Sequence, residues 1–247
     1  MTALDDLATV PFHDADAPQR ARMLSRLADT EVSVALMREP LRDQVELKLF
    51  ELEGARMAIA CDGEDRLADF FGQAVAYAAM PGRVLAALLK ADGAGLLVNP
   101  GHPSQMMLDA ATLDWLTGAL ESAPHEDEAR LRLVTPDATV VEVLSGPLGD
   151  RLADMRGLIA GAALVGVAGQ DGQAASHLLL ISGAPADRQA AIAKALAEAL
   201  AFLPPQPGGV DISFAEAVAP RGALIFDLTP PEPVVAPPKP KGPPILR

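Results

Sequence analysis

Short apolar runs alternate with longer amphipathic stretches along most of this 247-residue chain. That alternation decides the fold class. Runs such as Gly95–Val98, Ala162–Ala168 and His177–Ser182 have the length and composition of strands. Ala17–Asp29, Asp109–Leu120 and Ala186–Phe202 instead repeat apolar residues at helical spacing. Strands and helices mixed in this order predict an α+β protein of small sheets covered by helices. Two such domains are predicted, over residues 1–123 and 129–229. A polar stretch, Pro124-His125-Glu126-Asp127-Glu128, divides them. A third segment, 230–247, holds eight prolines in eighteen residues. No core can form there, so it reads as disordered or polyproline II.

Local signals sharpen the pattern. Asp16 is placed to cap the Ala17–Asp29 helix, with Pro18 in its first turn. Val32–Met37, Val45–Leu52 and Arg56–Cys61 read as strands, the last two joined as a hairpin by Glu53-Gly54-Ala55. Asp62 is expected to cap a short helix running to Phe70, with Glu64, Asp65 and Asp69 on a solvated face. Ala74–Met80 reads as a strand and Pro81 as the opening of a helix. In the second domain Leu152–Ile159 is predicted helical, and Val210–Phe214 and Ala223–Leu228 are predicted strands. Only seven Phe, one Trp and one Tyr are present, so the cores must be built from Ala, Leu, Val and Ile.

Charge and cysteine content narrow the function classes. A formal charge of −13 repels phosphate backbones and argues against nucleic acid as a partner. With one cysteine, Cys61, the chain can form no internal disulfide and no cysteine-based zinc site. Beside Asp62, Cys61 lacks the electropositive setting of a nucleophile and reads as a small core residue. Met1–Val10 carries Asp5 and Asp6 with no basic residue, unlike a secretory signal. The longest mostly apolar run, Gly157–Gly169, falls short of the ~20 residues of a spanning helix. A soluble cytoplasmic protein is expected, with the Ala and Arg usage of a high-GC bacterial genome. The phosphate-loop, dinucleotide-fold and nucleophile-elbow patterns are missing, and the four histidines lie at no metal-binding spacing. No cofactor, metal or catalytic group is therefore expected.

Two segments carry a family likeness. Asp62-Gly63-Glu64-Asp65-Arg66-Leu67-Ala68-Asp69-Phe70 follows a strand, and Gly95-Leu96-Leu97-Val98-Asn99-Pro100-Gly101 ends one. With the helix opening Pro18-Gln19-Arg20, they resemble the SseB family, named for enhanced serine sensitivity. In that family a strand ending in Phe-Thr precedes a charged helix bearing Arg-Leu and Phe, and a later strand ends in Asn-Pro-Gly. Here Ala60-Cys61 stands where Phe-Thr is usual. The likeness spans Ala17 to Leu120. From Pro136 to Phe226 the order of elements is similar to the family's C-terminal domain. The resemblance implies no biochemical activity and no catalytic residue.

Two groups of residues stand out as candidate sites. Asn99, His102 and Ser104 lie in one loop after an apolar strand, where ligands often gather. The same residues suit a type II turn, with Pro100 and Gly101 at its centre and Asn99 extended before proline. Arg20, Arg22 and Arg26 form the only basic cluster in a predicted folded part and could receive an acidic partner. As a solvated helix face they need none. The 230–247 segment, with Lys239, Lys241 and Arg247 among prolines, resembles a ligand for an aromatic-lined groove or a plain spacer. Two functional readings stay open. One is a non-catalytic regulatory module that binds an unknown protein partner. The other is an enzyme or small-molecule binder using the Asn99–Ser104 loop. Oligomeric state and domain arrangement are not legible.

Overall fold

A computed structural model describes residues 1–40, 45–52, 54–124, 131–170 and 172–229. The expected disordered segment 230–247 lies outside the described residues. The chain is an α+β protein with two mixed sheets.

The first sheet grows around one strand. Its elements are α1 (Ala3–Leu7), α2 (Ala17–Asp29), β1 (Glu31–Ala35), β2 (Leu49–Leu52), β3 (Ala55–Cys61), α3 (Glu64–Phe71), β4 (Tyr77–Pro81), α4 (Gly82–Asp92), β5 (Gly95–Val98), β6 (Met106–Leu108) and α5 (Ala110–Leu120). Strand order is β4-β1-β3-β5-β6, with β2 also paired to β3. β3 and β5 run parallel, Met57 beside Gly95 and Ala60 beside Val98, so both deliver their carboxyl ends to one edge. The other pairings are antiparallel. The expected hairpin is present as β2 and β3. The Asp16 carboxylate accepts from the Gln19 backbone N–H at 2.8 Å, so α2 starts where its cap residue dictates. Its stripe of Met23, Leu24, Leu27 and Ala28 is buried against the sheet with Leu85 and Leu89 of α4 and Leu113 and Leu116 of α5. α2 and α4 meet backbone to backbone. A Cβ on Gly82 would fall 2.1 Å from the Leu27 carbonyl oxygen, so only glycine fits there. The opposite sheet face buries a smaller cluster, Ala35, Ile59, Cys61 and Leu67, beneath α3.

The second sheet is β10-β9-β8-β11, with β7 also on β8. Its elements are β7 (Leu133–Val134), α6 (Ala138–Ala153), β8 (Gly161–Ala168), β9 (Ala174–Ser182), α7 (Gln189–Ala201), β10 (Val210–Ser213) and β11 (Leu224–Asp227). A 3-10 turn, Ala186–Arg188, leads into α7. The expectation of a helix over Leu152–Ile159 is displaced. The helix is α6, which ends at Ala153, and turns follow it. Val140, Leu144, Leu148 and Leu152 are buried at four-residue intervals, the spacing of one helix face. They pack with Ile192 and Leu196 of α7 on the sheet. On the other sheet face Val165, Leu178 and Leu180 are buried, with Ala219 of the β10–β11 connection packed on them.

His177 ties α6 to this sheet. Its ring is 1% exposed, and Nε2 accepts the Asp137 backbone N–H at 3.2 Å, so Nδ1 carries the proton. Burial holds its pKa below the ordinary histidine value, and the opposing pull of Asp137 is smaller. The folded state therefore binds its proton less readily than the unfolded chain. Stability is full above pH ~6.5 and falls as the pH drops through that value. We expect a calorimetric scan to show the midpoint falling between pH 7.5 and 5.5, by about 2–4 °C per kcal/mol lost. His177→Gln should flatten that slope. An equal slope in both proteins would rule His177 out as its source.

The two halves share a core. Phe202, just past α7, is 5% exposed and packs within the first sheet's main cluster. Its ring meets Trp115 edge-to-face, centroids 5.5 Å apart. Among the described residues no helix is long and apolar enough to cross a membrane.

Candidate functional site

The Asn99–Ser104 loop sits at the shared carboxyl edge of β3 and β5. Its turn forms as the sequence predicts: the His102 N–H donates to the Asn99 carbonyl at 3.1 Å, with Pro100 and Gly101 at the centre. The backbone of Asn99 differs from expectation. It is left-handed, with φ 46°, rather than extended, and is the only described residue other than glycine with positive φ. Such a conformation costs roughly 1–2 kcal/mol for an L-residue and persists where the surroundings hold it.

A closed circuit of buried hydrogen bonds does the holding. The Asp62 N–H donates to Asn99 Oδ1 at 2.9 Å, and Asn99 Nδ2 donates to Ser104 Oγ at 2.8 Å. Ser104 Oγ donates to Asp5 Oδ1 at 2.6 Å. Arg66 donates to Asp5 through both terminal nitrogens, at 2.5 and 3.3 Å. It also donates to Asp62 Oδ1 at 3.0 Å, which closes the ring. The Asp5 and Asp62 side chains are 3% and 2% exposed. Arg66 and the Ser104 hydroxyl hold the Asp5 carboxyl well below the usual carboxylate range. Asp62 thus corrects the sequence reading. Gly63 stands at the cap position of α3, and Asp62 is a buried partner of Arg66 rather than the cap. Beside it, burial and the Asp62 charge push the Cys61 thiol up to about 11, so it stays protonated and inert at neutral pH.

The structure therefore brings Asn99 and Ser104 together, both fully buried, with their polar groups engaged by neighbours. His102 stands apart on the turn, and its ring bonds to no described residue. This arrangement can brace the β3–β5 edge. It presents no converging set of free polar groups.

The arginine cluster also divides. Arg22 pairs with Asp150 at 2.8 Å and Arg26 with Asp154 at 3.5 Å, both carboxylates on or just past α6 of the same chain. The junction continues through Arg151 on Asp29 at 2.7 Å and Arg83 on Glu198 at 3.1 Å. A small cleft of about 80 Å³ remains between α2 and α6. Arg20 points to the other flank of α2 and makes no ion pair with a described residue.

On that flank lies a larger groove of about 490 Å³ between α2 and α5. Phe12 and Trp115 are its aromatic walls, with Ala17, Ala21 and Leu24 along α2. Arg20 and Asp109 supply one charge of each sign. Asp109 caps α5, accepting the Thr112 N–H at 2.8 Å, and Thr112, through its side chain first and its backbone second, holds the carboxyl below the usual range. It is ionised at neutral pH. Trp115 is set by helical geometry. Leu113 and Leu116 point into the core, which turns Trp115, one of the two residues between them, to the flank, where it is 47% exposed. The available sequence signal was that the chain's single tryptophan falls off the apolar stripe of its helix. Among the described residues no cluster of three or more His, Cys, Asp or Glu could hold a metal ion.

The fold and these sites define an α+β protein built on a five-strand path with a parallel centre, whose open surface is an aromatic groove beside its second helix. Residues 8–115 match the family model of the SseB protein N-terminal domain, so this part of the chain is similar to that domain. The match ends at the groove's Trp115 and leaves the second sheet outside it. No curated protein and no solved structure matches the chain.

Proposed function

We propose that this protein is a non-catalytic binding module of the SseB family. It takes an extended, proline-containing protein segment in the groove between α2 and α5. One observation carries the reading: the groove joins an exposed tryptophan and a phenylalanine to a shallow apolar floor, with Arg20 and Asp109 as single charges. Polyproline segments bind such aromatic-lined grooves because they are stiff before binding and lose little entropy in it. An acidic body, with 33 Asp and Glu against 20 Lys and Arg, favours segments bearing lysine or arginine.

An array of proline-rich and sequence-scrambled peptides tests this. The native protein should retain a subset of proline-rich peptides, and Trp115→Ala should weaken them at least tenfold. Trp115 also touches Phe202, so Asp109→Asn serves as the milder variant. Asparagine caps as well as aspartate, so the helix is kept while the charge is lost. Lysine-bearing peptides should then weaken and neutral ones should not. Equal retention by all three proteins would place binding elsewhere.

A further inference from the structure

We propose that the groove's resident occupant is the chain's own proline-rich segment, residues 230–247, bound in cis. The protein would then be self-occluded until a partner segment displaces it. This rests on the binding-module reading and adds the identity of the occupant.

Three observations on the chain point to it. The first is chemical match. The segment carries eight prolines in eighteen residues, the composition an aromatic groove selects. The second is charge. It bears Lys239, Lys241 and Arg247 against Glu232, a net +2, so the remaining residues carry −15 of the chain's −13. The segment is cationic beside an acidic body, and both signs have a counterpart in the groove, Asp109 for lysine and Arg20 for Glu232. The third is reach. The last described residue is Thr229, directly after Leu228, which is buried in the second core with its N–H on the Ala160 carbonyl. From that anchor eighteen residues in polyproline II extend about 55 Å. A globule of this length has a radius of gyration of ~18 Å, so that reach is about three times it. Tethering then raises the local concentration to the millimolar scale, enough for a weak match to stay closed.

A photo-crosslinking residue in place of Arg20 in the full chain, followed by peptide mapping, reads the occupant directly. A second readout is the affinity of a free synthetic peptide of residues 230–247. It compares the native full chain with a full-length variant carrying Pro237→Gly, Pro238→Gly, Lys239→Glu and Lys241→Glu. The expected result is an intramolecular adduct to 230–247 in monomeric protein, and at least tenfold tighter peptide binding by the variant, whose groove is vacated. Equal peptide affinity in both proteins, with no adduct to 230–247, overturns self-occlusion while leaving the groove as a binding site. Adducts to 230–247 found only in covalent dimers overturn occupancy in cis, because a second copy supplies the segment. No peptide binding by either protein, again without the adduct, overturns the groove reading as well.

Discussion

Replacing Arg66 by alanine should lower folding stability by about 3–5 kcal/mol, as expected when one partner of a buried ion pair is removed. The size follows from what is left behind. Asp5 and Asp62 are almost wholly buried and both rely on the one guanidinium. Without it, two carboxylates face each other with no counter-charge, and Asp62 Oδ2 already has no hydrogen-bond partner among the described residues. The pH profile gives a sharper signature than the magnitude. In the native protein the Asp5 carboxyl is depressed, so its contribution is present above the unfolded value of ~3.9 and is lost as pH falls. In Arg66→Ala the buried Asp5 carboxyl loses the largest cause of that depression and keeps the opposing cost of burial, so stability should recover on acidification from pH 7 to 5. Chemical denaturation at several pH values checks this. A variant with unchanged stability, or one that loses stability in acid as the native protein does, would mean the circuit does not brace the β3–β5 edge.

The second large effect belongs to Phe202. Phe202→Ala should cost about 3–5 kcal/mol, the range for truncating a buried phenylalanine. It should also alter the emission of Trp115, whose ring edge it meets. The ion pairs around it are weaker by comparison. Arg22 with Asp150 and Arg26 with Asp154 are half-exposed and worth no more than about 1 kcal/mol each. One aromatic side chain thus outweighs either of these two exposed pairs in joining the halves. If Arg22→Ala destabilises as much as Phe202→Ala does, that ranking is wrong.

Where sequence and structure agree, the controlling signals are local. The start of α2 follows from Asp16 and Pro18, and the Asn99 turn from Pro100 and Gly101. α6 went unseen because Gly146, Pro147 and Gly149 punctuate it and Thr139, Val140 and Val141 favour strands, although its buried stripe keeps a four-residue spacing. β6 and β7, of three and two residues, are too short to show a period. The candidate sites were obscured for another reason. Ser104 bonds to a residue 99 positions away and Arg22 to one 128 away, separations no local pattern encodes. The arginine stripe was legible, but not that α6 answers two of its three members.

The most direct test sets the two candidate surfaces against each other. A photo-crosslinking residue at position 115 and, separately, at position 102 of the full chain should be activated in cells and the adducts mapped by mass spectrometry. A binding module using the α2–α5 groove predicts discrete adducts to proline-rich segments from position 115 and none above background from position 102. Specific adducts at position 102, with none at 115, would contradict the account and return the Asn99–Ser104 loop to the centre of this protein's function.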